Sequence, residues 1–236
     1  SSGGEHYFTK NTEKNNLWEP VKTGGDTTVT GGVITHSSGK NGSGISMGAK
    51  GTFTMYGGTI CGNYNDENSG AGVRATQSTI IMSGGAISGN VAAKHESGGG
   101  VYLNGNGGFF DMSGNAKITD NATTQYGGGV NVAGGTSGKV RFTMSGSAKI
   151  TDNMCFGSSC GGAGVYASGG EFTMNGNAAI SANRSQSERG SGGGVFVAAE
   201  TTFTMNDDAT ISRNSAYIDS PDSYRKNSGG GVQVFG

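Results

Sequence analysis

Three residue registers recurring about every thirty positions, and 48 glycines among 236 residues, predict an all-β chain. The expected fold is a right-handed single-stranded parallel β-helix, a solenoid with three short strands per coil and about seven coils. Within each register the repeated apolar residues stand two apart, which is the period of a strand with one face buried and excludes a helix.

The first register is a small-residue triplet followed by a β-branched residue. These triplets end at Ile45, Val73, Val101, Val130, Val165, Val195 and Val232, at spacings of 28, 28, 29, 35, 30 and 37. Their glycines permit the positive-φ bend from the preceding loop into a strand. The second register places an aromatic or aliphatic residue two before a methionine: Phe53/Met55, Ile80/Met82, Phe110/Met112, Phe142/Met144, Phe172/Met174 and Phe203/Met205. The third is Ile-x-x-Asn, ending at Asn63, Asn90, Asn121, Asn153, Asn183 and Asn214. Three strands separated by Gly-rich corners close one coil, and coils hydrogen-bonded at roughly 4.8 Å build a rod of roughly 35 Å.

Stacking turns each register into a ladder. The six methionines (Met55, Met82, Met112, Met144, Met174, Met205) and their aromatic partners fill one wall, a role that suits a flexible, polarizable thioether beside rings better than copper binding. The asparagines form an internal amide ladder at the corner after the third strand, because repetition supplies each amide with a partner. The segment 29–37, VTGGVITHS, aligns with 55–63 as a degenerate first coil with Ser37 at the Asn position. Residues 1–23 lack the cassette and read as an N-terminal cap or extension. Residues 24–236 read as the β-helix domain, cut from a longer array, and an uncovered coil edge would favour end-to-end self-association.

Composition narrows the function classes. A net charge of −1, from 16 basic and 17 acidic residues, gives no basic stripe for nucleic acid. No run of about twenty apolar residues is present to span a membrane. Glycine without a three-residue period and only two prolines exclude collagen. Of three cysteines, Cys155 and Cys160 lie close enough in one loop for a disulfide, whereas Cys61 is expected to be an outward, unpaired surface thiol. His6, His36 and His95 are scattered, so neither a metal nor a cofactor is expected.

Function is expected in what does not repeat. The outward positions of the first strand include Arg74, Tyr102, Asn131, Tyr166 and Phe196, a face with aromatics able to stack on sugars or anchor a protein contact. The Asn-to-Val loops vary most, especially NYNDENSG after Asn63, RSQSERGSG after Asn183 and SAYIDSPDSYRKNSGG after Asn214. Asp120 and Asp152 stand on adjacent rungs, which keeps a polysaccharide lyase or glycoside hydrolase as the alternative, although their TDN context reads as turn acids. Outward hydroxyls after each Ile (Ser88, Thr119, Thr151, Ser181, Ser212) keep ice binding as a lesser one. The reading leans against an enzyme, with no catalytic residue assigned.

Six coils carry GGGV (98–101, 127–130, 192–195, 229–232) or GAGV (70–73, 162–165), alternating with the corners ISGN, ITDN, ISAN and ISRN. This pattern resembles the passenger repeats of chlamydial polymorphic outer membrane proteins and similar repeat-rich bacterial surface proteins, over roughly residues 24–236. Ile replaces the family's Phe in the corner, and the FTM register is an addition. The resemblance implies an adhesin-like module, extracellular or on the cell surface, that binds a host protein or carbohydrate without enzymatic activity.

Overall fold

The structure, a computed structural model, describes residues 8–11, 17–20, 32–94, 96–134, 139–158, 160–186, 191–217 and 229–235. From residue 32 onward the backbone is a parallel β-solenoid in which every coil adds one strand to each sheet. One coil runs through Val101–Asn104, Phe109–Met112, Lys117–Thr119 and Ala122–Thr123 before the next starts at Val130–Ala133. Equivalent residues pair in register: Val101 with Val130, Met112 with Met144, Ile118 with Ile150.

Among the described residues the solenoid has four sheets rather than three, of seven, six, seven and seven strands. The additional sheet follows the Asn corner, in strands such as Tyr64–Asn65, Val91–Ala92 and Met154–Cys155. Its most deeply buried column is Asn65, Ala92, Thr123, Cys155 and Ser185, five different residue types. A strand this short, with small and polar residues inward, leaves no hydrophobic period to detect.

The core consists of the expected ladders. Phe110, Phe142 and Phe172 are fully buried, and their rings stack at 4.8 and 4.7 Å between centroids. Met82, Met112, Met144 and Met174 line the same wall, opposed by the Val and Ile columns. Offset ring pairs contribute beyond their area burial, so a ladder of them rewards in-register stacking specifically. Met205, on the last rung of its sheet, is 41% exposed.

The corner between the third and fourth strands explains the I-x-x-Asn register. The residue before each Asn adopts a left-handed conformation, with φ between 55° and 63° at Gly62, Gly89, Asp120, Asp152, Ala182 and Arg213. That turn drives the Asn side chain into the core. The Asn90 amide donates to Asn121 Oδ1 at 2.9 Å and to Ile60 O at 3.0 Å, while Asn90 N also donates to Asn121 Oδ1. The same three bonds recur at Asn121, Asn153 and Asn183. Each amide thus ties three coils together. Ser37 occupies the Asn position of the first coil, its N–H donating to Asn63 Oδ1 at 3.1 Å.

The last glycine of each triplet faces this ladder. A Cβ on Gly100 would lie 2.6 Å from Gly129 O and 3.0 Å from the Asn121 amide nitrogen. Gly98, two residues earlier, makes the positive-φ bend at +64°.

Two cysteine expectations have different outcomes. Cys155 and Cys160 form a disulfide with Cα atoms 5.7 Å apart, buried with Ala163. Cys61 is free but only 1% exposed, not a surface thiol. Alternation with Ile60 gives the side of the strand but not its accessibility, and burial pushes the thiol above its ordinary value. Near the N-terminus, Phe8–Asn11 pairs antiparallel with Leu17–Pro20. His6 and His95 lie outside the described residues, as do 187–190 and 218–228 of the two long loops.

Candidate binding face

The outward column of the first-strand sheet runs Ser46, Arg74, Tyr102, Asn131, Tyr166, Phe196 and Gln233, each paired with its neighbour one coil on. The in-register sheet therefore brings all five candidate residues, Arg74 through Phe196, onto one stripe along the rod. Arg74, Tyr102, Tyr166 and Phe196 are half-buried, but Asn131 is only 3% exposed.

Tyr126 joins this stripe from the loop that leads into the Asn131 strand. It stands just before a GGGV triplet, where the other described coils have Ser69, Ser97, Gly161 or Ser191. Its ring stacks on Tyr166 at 4.5 Å between centroids, and Tyr166 stacks on Phe196 at 5.3 Å. Gly161, whose missing Cβ would lie 3.4 Å from the Tyr126 ring, keeps this layer open. Tyr126, Tyr166 and Phe196 thus form one three-ring stack, with a loop tyrosine on the rung where the strand itself supplies Asn131. The departure of Tyr126 from the small residue of the other coils was the signal available in the sequence. Phe156, 42% exposed beside the disulfide, is a second outward aromatic that the repeat registers do not mark.

Stacking decides what the stripe offers. The faces of Tyr166 are taken by Tyr126 and Phe196, so this central ring offers its edge and phenol hydroxyl, not an open face for a sugar ring. Burial pushes the Tyr166 hydroxyl above its ordinary value, and nearby Tyr126 adds to this. Burial also raises Tyr102, opposed by a hydrogen bond from Asn104 and by the Arg74 charge. Both phenols stay neutral and available as hydrogen-bond donors through the physiological range.

The loops flanking the first coils are held by rung-to-rung polar contacts. Lys94 pairs with Asp66 at 2.5 Å, Lys40 with Glu67 at 2.9 Å, and Ser69 donates to Glu96 at 2.9 Å. Asn65, buried at the corner, accepts from Asn68 N at 3.0 Å and donates to Ser43. Farther round the coil, Asp120 and Asp152 are exposed corner residues, and Asp120 accepts from the Thr119 hydroxyl. Among the described residues no three His, Cys, Asp or Glu side chains are placed to share a metal ion, and no helix is long and apolar enough to cross a membrane. Compared with known proteins, the chain matches no family model, no curated protein and no solved structure.

Proposed function

We propose that this chain is a non-enzymatic adhesive rod, secreted or displayed on a cell surface, that recognises a partner protein along its aromatic stripe. The observation that carries this reading is the run Arg74, Tyr102, Tyr126, Tyr166 and Phe196 on a face whose backbone is fixed by ladder pairing. Tyrosine and arginine are the residues that most often dominate protein interfaces, and rings already immobilised by stacking lose little entropy on binding. The repeat pattern, resembling that of bacterial surface passengers, supports an extracellular setting and a host protein as partner.

The test compares wild type with Tyr102→Ala, Tyr166→Ala and Phe196→Ala combined, across immobilised extracellular-matrix proteins and a glycan array. Selective loss of protein binding in the triple variant, with its far-UV circular dichroism unchanged, is the expected result. Undiminished binding by the triple variant would remove the stripe from the account.

A further inference from the structure

The outward face of the Ile sheet carries chemistry that neither the core nor the aromatic stripe uses. It forms a groove of about 740 Å³ along the rod, lined by residues of four successive rungs. In-register pairing sorts them into columns. One begins with Lys117 and Lys149 on neighbouring rungs; the next runs Thr119, Thr151, Ser181, Ser212. The columns narrow to small residues toward Ala179 and Ala182, which makes the face concave. Arg213 and Asp152, both in left-handed corner conformations, stand on the far wall.

Three cations line this groove. Lys40, Lys94 and Lys139 each sit within 4 Å of a carboxylate on a neighbouring rung. Among the described residues, no such partner is found for Lys117, Lys149 or Arg213, leaving three cations against Asp152 in the lining and Asp120 beside the lining Thr119. Two ammonium groups on directly paired positions repel each other, a local cost that a bound anion relieves. Between them and the far wall lies a line of hydroxyls; Thr151 Oγ1 sits 3.3 Å from Thr119 Oγ1, and Thr119 Oγ1 donates to Asp120. Hydroxyls donate and accept, as sugar hydroxyls require. A linear polymer lying along the rod meets a hydroxyl at every rung, roughly every 4.8 Å, and a lysine on two neighbouring rungs.

From this juxtaposition we infer that the groove binds an anionic polysaccharide, its carboxylates or sulfates on Lys117, Lys149 and Arg213 and its hydroxyls on the Thr/Ser column. A polynucleotide fits less well, because the groove has no aromatic side chain on which bases could stack. This site is separate from the aromatic stripe, so either can fail without the other.

The experiment measures retention of the whole chain by immobilised heparin and by immobilised polygalacturonate, with dextran as the neutral polymer. Binding to one or both polyanions, weakening steeply as NaCl is raised, is expected, since displacement of condensed counterions drives it. Retention by one alone identifies sulfate or carboxylate as the recognised group. Lys117→Ala/Lys149→Ala should lower affinity about tenfold or more, and Asp152→Asn should raise it. The paired-lysine control Lys40→Ala/Lys94→Ala should bind like wild type. Thr151→Val keeps charge and shape and should weaken binding severalfold, by deleting one hydroxyl contact. Equal loss in the control pair, equal retention on dextran, or no retention on either polyanion at low salt would overturn the proposal. Near-wild-type urea midpoints in the variants keep misfolding apart from lost contact.

Discussion

Replacing Asn121 by Ala should break the amide ladder at its centre, and the structure sets the size of the effect. Asn121 is fully buried, and its Oδ1 accepts from both the backbone N–H and the side-chain amide of Asn90, at 3.0 and 2.9 Å. Its own amide donates to Asn153 Oδ1 and Ile87 O. Truncation leaves the Asn90 N–H without its partner and one Asn90 amide hydrogen unused, while Asn153 Oδ1 keeps the Asn121 backbone donor. At about 1–3 kcal/mol for each buried orphan, and with partial relaxation into the space left behind, the loss should be about 3 kcal/mol. Equilibrium urea unfolding should show a midpoint lower by roughly 1 M or more. Hydrogen exchange should show lost protection at the Asn90 N–H specifically. The exposed Asn206, whose amide donates to Asn175, supplies the control, and Asn206→Ala should stay within about 0.5 kcal/mol of wild type. A loss below about 1 kcal/mol for Asn121→Ala with Asn90 protection intact would refute the assignment of that ladder as a structural element.

Other expectations concern single positions. Gly100→Ala should cost about 1–3 kcal/mol by urea denaturation, since its Cβ would meet Gly129 O and the Asn121 amide, and a near-neutral result would contradict that packing. Ala182→Gly should stabilise by about 0.5–1 kcal/mol, because a left-handed corner at φ 57° strains any Cβ; a lower midpoint would show that the corner does not carry this strain. Tyr102 and Tyr166 have folded-state pKa values raised mainly by burial, so their contribution is fully present below the ordinary tyrosine value and is lost as pH rises through the folded one. Alkaline unfolding should therefore be blunted in Tyr102→Phe/Tyr166→Phe, and an unchanged alkaline limb in that double variant would sink the linkage. Cys61 should resist a thiol reagent in the native chain and react once unfolded; rapid native labelling would contradict its burial.

Much of this fold was legible because stacking forces each ladder to repeat. Phe142 can sit on Phe110 and Phe172 only if the chain returns to the same residue type every coil, and the sequence displays that return. The Asn ladder was legible for the same reason, down to Ser37 in the degenerate first coil. The fourth sheet was hidden because its most buried column, Asn65, Ala92, Thr123, Cys155 and Ser185, changes residue type at every rung in strands too short to show a period. The outward stripe was half legible. Alternation placed Arg74, Tyr102, Tyr166 and Phe196 on one face, but the Tyr126 ring that stacks on Tyr166 arrives through a loop whose path no strand period describes. Cys61 failed similarly, since alternation gives the side of a strand and not whether that side is covered. The Ile-sheet groove was visible only as a column of hydroxyls; Lys117 and Lys149 beside it gained meaning once registration put them on adjacent rungs.

The claim that this rod binds without catalysis is tested most directly by incubating it with polygalacturonate and heparin and measuring chain length and new ends. The account predicts polymers of unchanged length, with no new reducing ends and no unsaturated uronate absorbance, whether or not they are retained. Shortening of either polymer, abolished by Asp120→Asn or Asp152→Asn, would contradict it and make the corner acids of the Ile sheet a catalytic pair.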